Sequence, residues 1–313
     1  MNITHLDITT AFLNGLLKED IYMSIPEGFA NKSGGYILKL KRAIYGLKQS
    51  SLAWYERVKD CLHKIGFKSC EYEPCLFAKN YGKIRIIIAL YVDDFLIFSN
   101  NNIETEKLKQ VLGSEFKLKD LGPVRQYLGM RINVDENKNV ITVDQQQYIE
   151  QLACKFQVSD CKPQNTPIEP KLNVEKSNEC SSNVPYQKLI GSLMYLAVLT
   201  RPDIAYAVSY LSQFNNCYNT TCYNYAKRIL KYLLHTKNYC LKFIDNNTDI
   251  HGFVDSDWAS DAIDRKSYTG FCFVMSGSAI SWQSKKQKTV SLSSTESEYS
   301  ALSEASREAV YLR

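Results

Sequence analysis

The sequence has no Cys-x-x-Cys pair despite its ten cysteines, and no histidine stands at zinc-finger spacing from a cysteine pair. That excludes the common structural zinc modules and leaves reduced thiols in an intracellular protein as the reading. No apolar run is long enough to span a bilayer. The start, Met1-Asn2-Ile3-Thr4-His5, lacks both the basic flank and the apolar run of a secretion signal. Strong charge of either sign is also missing: Lys plus Arg number 38 against 33 Asp plus Glu, a net +5. So mild an excess admits a polyanion partner without indicating one. Tyrosine is abundant, with 21 among 313 residues, and it suits nucleic-acid grooves and half-buried cores equally. The length implies two or three domains.

One stretch organises the rest. Two β-branched and aromatic runs, Ile86–Tyr91 and Phe95–Ser99, flank the adjacent pair Asp93-Asp94. Each run reads as a strand, so Val92-Asp93-Asp94 is expected at the tight end of a β-hairpin. Two carboxylates held side by side raise each other's pKa unless something positive sits between them. A pair of divalent cations roughly 3.5–4 Å apart, clamping the oxygens of a phosphoryl transfer, is one solution. An ordinary hairpin with an acidic turn is the other.

Thr4 to Phe12 reads as a strand entering the turn at Asn14-Gly15, with Asp7 inside it. Such an Asp is an edge or strand-end group unless its strand lies beside the hairpin. Two short extended pieces follow, Ile21–Ile25 and Tyr36–Leu40. The basic, glycine-interrupted segment Lys41–Ser51 then leads into a helix whose apolar stripe is Leu52, Tyr55, Val58, Leu62 and Ile65, ended by Gly66. That segment fits phosphate contacts or a solvated loop. A second helix is expected over Ile103–Phe116 with Leu108, Val111 and Leu112 inward, then a turn at Asp120–Pro123 and an extended Tyr127–Ile132. Strands and helices alternate irregularly, which argues α+β over a doubly wound fold.

From Val143 the pattern becomes mainly helical. Asp144 and Gln147 resemble a capping box, ahead of a Tyr148, Leu152 and Phe156 stripe. Lys162–Pro185 is the linker candidate. Helices are expected over Tyr186–Leu199, Pro202–Phe214 and Tyr223–Leu234. Lys227, Arg228 and Lys231 share one face of the last, turned to solvent or to a phosphate strand. Beyond Asn247, strands Gly252–Asp255, Thr269–Met275 and Ala279–Trp282 precede a closing helix, Thr295–Arg313. Glu298 falls on one side with Leu302, Ala305, Ala309 and Leu312. It also completes a Thr295-x-x-Glu298 capping box, a purely structural job for the same residue.

Together these residues resemble a family. Leu6-Asp7-Ile8-Thr9-Thr10-Ala11-Phe12-Leu13-Asn14-Gly15, Tyr45-Gly46-Leu47-Lys48-Gln49, Tyr91-Val92-Asp93-Asp94 and Tyr127-Leu128-Gly129 occur in the order of the reverse transcriptase motifs of copia-type retrotransposon polyproteins. Pro185-Tyr186, Thr200–Ile204 and Ala226–Leu233 resemble the segment joining polymerase to ribonuclease H. Asp255–Ala259, Asp264–Ser267, Ser281-Trp282, Ser284–Gln287 and Ser294–Tyr299 resemble the ribonuclease H itself. The similarity covers essentially the whole chain.

The resemblance implies an α+β architecture in three parts: a palm with a mixed sheet and residual fingers over 1–135, a mainly helical thumb or connection over 136–245, and an RNase H-like α/β domain over 246–313. It implies an RNA-directed DNA polymerase in which Asp7, Asp93 and Asp94 are catalytic and hold two Mg2+ ions. Phe12 would be the gate that excludes a ribose 2′-hydroxyl. Gly46, Lys48 and Gln49 would lie near the incoming nucleotide and template, with Tyr127, Leu128 and Gly129 as the primer grip. Asp255 and Glu298 match metal-binding acids of ribonuclease H, ahead of Asp257 and Glu296. The implied partners are an RNA template, a DNA primer, their hybrid and deoxynucleoside triphosphates, without a membrane. The place of action is intracellular, a cytoplasmic virus-like particle or the nucleus. Departures from the family pattern include Thr9, where Lys is usual, and Ser260, where Gly is usual. The family also carries a fingers region before the first aspartate and further acids after the glutamate helix. On that basis the ribonuclease H region is expected not to cleave, and a magnesium-dependent loss of hybrid RNA abolished by Asp255→Asn would overturn this. The competing class is a non-catalytic nucleic-acid-binding remnant of a decayed element.

Overall fold

A computed structural model describes residues 1–29, 37–170, 172, 174, 184–246 and 248–313, in two units, Met1–Val124 and Arg125–Arg313. In the first, β1 (Asn2–Ile8) runs into a 3-10 turn over Ala11–Asn14, followed by the paired short strands β2 (Tyr22–Ser24) and β3 (Ile37–Lys39). Tyr36, expected in the same extended piece as β3, lies outside the described residues. Next come α1 (Ser50–Lys64), β4 (Lys68–Ser69), β5 (Leu76–Tyr81), β6 (Ile84–Tyr91), β7 (Asp94–Ser99), α2 (Asn102–Glu115) and β8 (Leu118–Pro123).

Six of these strands form one sheet in the order β4-β5-β6-β7-β1-β8. Every pairing in it is antiparallel, not mixed as expected. The reason is connectivity: tight hairpins join β5, β6 and β7, and such turns link only antiparallel strands. Leu6, Ile8, Ile88, Phe95 and Ile97 point from one face into a core shared with Trp54, Val58 and Leu62 of α1 and Leu108 and Leu112 of α2. A period of two then puts His5, Asp7 and Asp94 on the opposite face.

Local chemistry explains the element ends, and corrects several expectations. β1 stops at Ile8, short of Phe12, because Thr10 turns to a left-handed φ of 55°. On α1, Leu52 is exposed, and Trp54 and Cys61 take the buried places. Leu52 stands about 200° around the helix from Trp54. Gly66, with φ +92°, closes α1 as predicted: its N–H donates to the His63 carbonyl, and that of Phe67 to Leu62. On α2, Val111 is exposed and Thr105 is buried. The expected turn at Asp120–Pro123 is strand β8, interrupted by a bulge where Gly122 adopts φ +75° and its N–H donates to Asp120 Oδ1.

The second unit contains β9 (Gln126–Tyr127), β10 (Met130–Asp135), β11 (Val140–Asp144), α3 (Gln146–Lys155), α4 (Tyr186–Leu199), α5 (Ala205–Ser212), α6 (Thr220–His235) and β12 (Leu241–Ile244). Its sheet runs β12-β11-β10-β9, and α3 to α6 share a core that includes Leu152, Tyr186, Leu193, Leu211 and Leu233. β13 (His251–Ser256), β14 (Tyr268–Met275) and β15 (Ser278–Lys286) form a further antiparallel sheet, on which α7 (Ser294–Leu312) packs.

Tyr127–Ile132 is a hairpin, not one extended run. Leu128 and Gly129, at φ 47° and 71°, form its two-residue turn. The Asp144–Gln147 capping box does not form, because Asp144 pairs with Arg131 and accepts from the Gln146 N–H, while Gln147 accepts from Gln126. The linker candidate is anchored where it is described: Val174 is buried, and the Leu172 carbonyl accepts from the Tyr210 hydroxyl. Residues 171, 173 and 175–183 of that stretch lie outside the described residues. On the basic face of α6, Arg228 pairs with Glu169 and Lys227 lies over the Tyr223 ring.

Arg201, 2% exposed, ties this unit together. Its guanidinium forks onto Asp203, donates to the Thr236 carbonyl and hydroxyl, and lies against the rings of Tyr232 and Tyr239. Arg201→Lys keeps the charge and loses the fork, so it is expected to cost about 2 kcal/mol, read as a lowered urea midpoint.

Candidate active site

The β6–β7 hairpin has a two-residue loop, Val92-Asp93, with Tyr91 facing Asp94 across the register. Val92 adopts φ 56°, a conformation that a β-branched residue takes only against steric resistance. Tertiary contacts hold it there. Trp54 Nε1 donates to the Val92 carbonyl at 2.5 Å, and the Ile8 N–H donates to the Asp93 carbonyl at 2.8 Å. The turn is thereby fastened to α1 on one side and to the end of β1 on the other.

β1 is the neighbouring strand that makes Asp7 significant. It pairs with β7 so that Asp7 stands opposite Asp94. All three aspartates are half-buried. His5, two residues before Asp7 and on the same face, has its Nε2 2.7 Å from Asp94 Oδ1. An ionised carboxylate only accepts, so the imidazole is the donor.

The donor chemistry, carboxylate oxygen, is that of a magnesium site. The backbone brings three such groups to two adjoining strand ends. As the side chains stand, no three His, Cys, Asp or Glu among the described residues are gathered so as to hold a metal ion. Asp94 in particular is turned to His5.

The other predicted residues fall as follows. Phe12 sits on the 3-10 turn after β1, half-buried, with its ring 4.6 Å from that of Tyr45. Gly46 has φ +98°, Lys48 is exposed, and Gln49 precedes α1, where its carbonyl accepts from the Ala53 N–H. Tyr127, Leu128 and Gly129 make the β9–β10 turn of the second unit. There the Tyr195 hydroxyl donates to the Leu128 carbonyl, and a Cβ on Gly129 would come within 2.6 Å of the Tyr195 oxygen. This close approach, with φ +71°, accounts for glycine.

Asp255 and Glu298 are both exposed. Of the expected stripe on α7, Ala305 is buried and Leu312 packs on the core, but Ser297 and Ala301 take the other inward places, and Glu298, Leu302 and Ala309 are exposed, so Glu298 does not face the core. Nor does it cap the helix. The cap is Ser293, whose Oγ accepts from the Glu296 N–H, while the Glu296 carboxylate reaches back past the cap to accept from the Leu292 N–H. Neither structural job expected of Glu298 is therefore its own. The Ser256 and Ser297 hydroxyls bond at 3.0 Å, so the residues next to Asp255 and Glu298 touch. Asp257 is occupied by the Tyr268 N–H and the Ser260 hydroxyl.

Three residues at this site were not singled out by sequence reasoning: His5, Trp54 and Tyr45. Spacing by two from Asp7 was an available signal for His5. The register that brings it to Asp94 was not.

The first unit is thus an antiparallel sheet backed by two helices on one face, with Asp7 and Asp94 on the other and Asp93 in the fastened turn beside them. Residues 1–170 match the family model described as reverse transcriptase (RNA-dependent DNA polymerase). The Pol polyprotein of transposon TNT 1-94 from Nicotiana tabacum is 39% identical over 100% of this chain and 24% of its own length. That of transposon RE1 from Arabidopsis thaliana is 38% identical over 98% of this chain and 21% of its own. A putative transposon Ty5-1 protein of Saccharomyces cerevisiae is 34% identical, with 96% of this chain and 98% of that protein covered. The chain belongs to the reverse transcriptase family, in the form carried by Pol polyproteins of copia-type transposons. It spans about a quarter of the length of the TNT 1-94 polyprotein.

Proposed function

We propose that this chain is the RNA-directed DNA polymerase portion of a copia-type Pol polyprotein, with Asp7, Asp93 and Asp94 as its catalytic carboxylates. The observation that carries this is the pairing of Asp7 with Asp94 at the end of a strained, doubly fastened hairpin. Strain that the surroundings maintain is a mark of functional sites. Asp7 and Asp93, with Asp94, would hold two magnesium ions. When bound, these would supply Lewis-acid activation of a primer 3′-hydroxyl and neutralise the departing pyrophosphate. The carboxylates would supply the negative field that recruits the ions, and the fastened hairpin holds the backbone that carries Asp93 and Asp94. Phe12 would exclude a 2′-hydroxyl, Gly46, Lys48 and Gln49 would border nucleotide and template, and the Tyr127-Leu128-Gly129 turn would grip the primer.

The same reading divides the chain into palm (1–135), thumb or connection (136–245) and an RNase H-like region (246–313) carrying Asp255 and Glu298. Its partners are an RNA template, a DNA primer, the hybrid and deoxynucleoside triphosphates, within the cell. Among the described residues no helix is long and apolar enough to cross a membrane.

One observation favours a second reading. Asp94 is engaged by His5, and no three ligands are gathered, as expected of a nucleic-acid-binding remnant without catalysis. Primer extension on poly(rA)–oligo(dT) with magnesium separates the two. Template-dependent extension that Asp93→Asn removes supports the polymerase, whereas equal signal from both proteins leaves the remnant.

A further inference from the structure

Phe12 is placed to judge the sugar only if its ring stays put, and the structure shows what holds it. The ring packs against the core of the first unit and also meets the Tyr45 ring, the two centroids 4.6 Å apart. Tyr45 stands at the second position of a tight turn, Ile44–Leu47, with Gly46 at the third. The φ of +98° there is the one that a type II turn demands. The Ser50 hydroxyl donates to the Ile44 carbonyl at 2.5 Å and pins the turn to the start of α1.

The segment carrying Tyr45 is also stitched to the segment carrying Phe12. The Ala43 N–H donates to the Gly15 carbonyl at 3.0 Å, Arg42 donates to the Leu13 carbonyl at 3.4 Å, and Leu16 bridges Arg42. Gly15 in turn lies flat on α1, where a Cβ would press on the Trp54 and Ala53 backbone at 3.0–3.1 Å. Two rings are thus mounted on two short segments that cannot move apart independently. Tyr45 is 59% exposed, so burial of its own surface does not explain its placement.

We propose that Tyr45 is a positioning residue for sugar discrimination: its ring braces that of Phe12 and prevents the gate from swinging aside for a ribonucleotide. The inference rests on the polymerase reading and on the gate role of Phe12. A lone aromatic ring on a single 3-10 turn can change rotamer to admit an extra hydroxyl. A ring packed against both the core and a second ring must break a contact to do so.

The test is the ratio of kcat/KM for a deoxynucleotide to that for the matching ribonucleotide, measured by primer extension on one preparation, so that losses in folded fraction cancel. Tyr45→Ala is expected to lower the ratio about five- to tenfold, mainly through a lower ribonucleotide KM, as for losing one aromatic pair. Tyr45→Phe should keep it within about twofold, because the ring does the bracing. Tyr45→Ala should add nothing in a Phe12→Val background. An unchanged ratio in Tyr45→Ala, where Phe12→Val relaxes selectivity, overturns this inference alone. So does an equal drop in Tyr45→Phe and Tyr45→Ala, which would assign the effect to the hydroxyl. An unchanged ratio in Phe12→Val removes the gate and the brace with it. Equal extension by the native chain and Asp93→Asn removes the polymerase reading itself, and this inference with it.

Discussion

Asp93→Asn is expected to lower primer extension on an RNA template by about 1,000-fold or more while leaving the fold intact. The substitution is isosteric, and the turn around it is held by backbone carbonyls, those of Val92 and Asp93, which it does not touch. What it removes is the charge. Stabilisation of developing charge by a metal site is worth several kcal/mol, and each 1.36 kcal/mol is tenfold in rate. Asp7→Asn should behave alike. Asp94→Asn should cost less, about ten- to a hundredfold, because one of its oxygens is already committed to His5. Single-turnover extension, with thermal melts to verify folding, measures all three. Retention of activity within about tenfold in Asp93→Asn would exclude it as a metal carboxylate.

Trp54 carries the largest expected effect on stability. It is 2% exposed, packs edge-on to Phe116 at 5.1 Å and donates its indole N–H to the hairpin turn. Trp54→Ala should destabilise the chain by about 3–5 kcal/mol, the usual cost of removing a buried aromatic ring. Trp54→Phe keeps most of the packing and leaves the Val92 carbonyl without its indole donor, for about 1–3 kcal/mol. Urea midpoints with unchanged slopes would read both values. Because the indole restrains the left-handed Val92, Trp54→Phe should also reduce extension more than its stability loss explains. A phenylalanine variant as stable and as active as the native chain would dismiss the clamp.

The elements most legible in sequence were those that local chemistry decides. The continuous β-branched and aromatic runs made β6 and β7, Gly66 closed α1, and the helix over Tyr186–Leu199 has the predicted limits. Helix faces were less legible. Leu52, Val111 and Glu298 all have helical spacing from apolar neighbours, yet the packed side chains are Trp54, Thr105 and Ser297. Several stripes fit the same periodicity, and only the partner surface selects one. Capping erred for a related reason. Ser293 with Glu296 and Thr295 with Glu298 both have the spacing of a box, and the helix start makes Ser293 the cap.

The amino-acid sequence by itself determined the hairpin with its acidic end, the glycine stop of α1 at Gly66 and, through ordered motifs, the reverse transcriptase family. Tertiary structure alone decided which strand lies beside that hairpin, and therefore that Asp7 faces Asp94, that His5 reaches Asp94 across 89 positions, and that Trp54 fastens Val92. The physical reason is range. Propensity, periodicity and capping act over a turn or two of chain, whereas register between distant strands is set by which pairing buries Leu6, Ile8, Phe95 and Ile97 together.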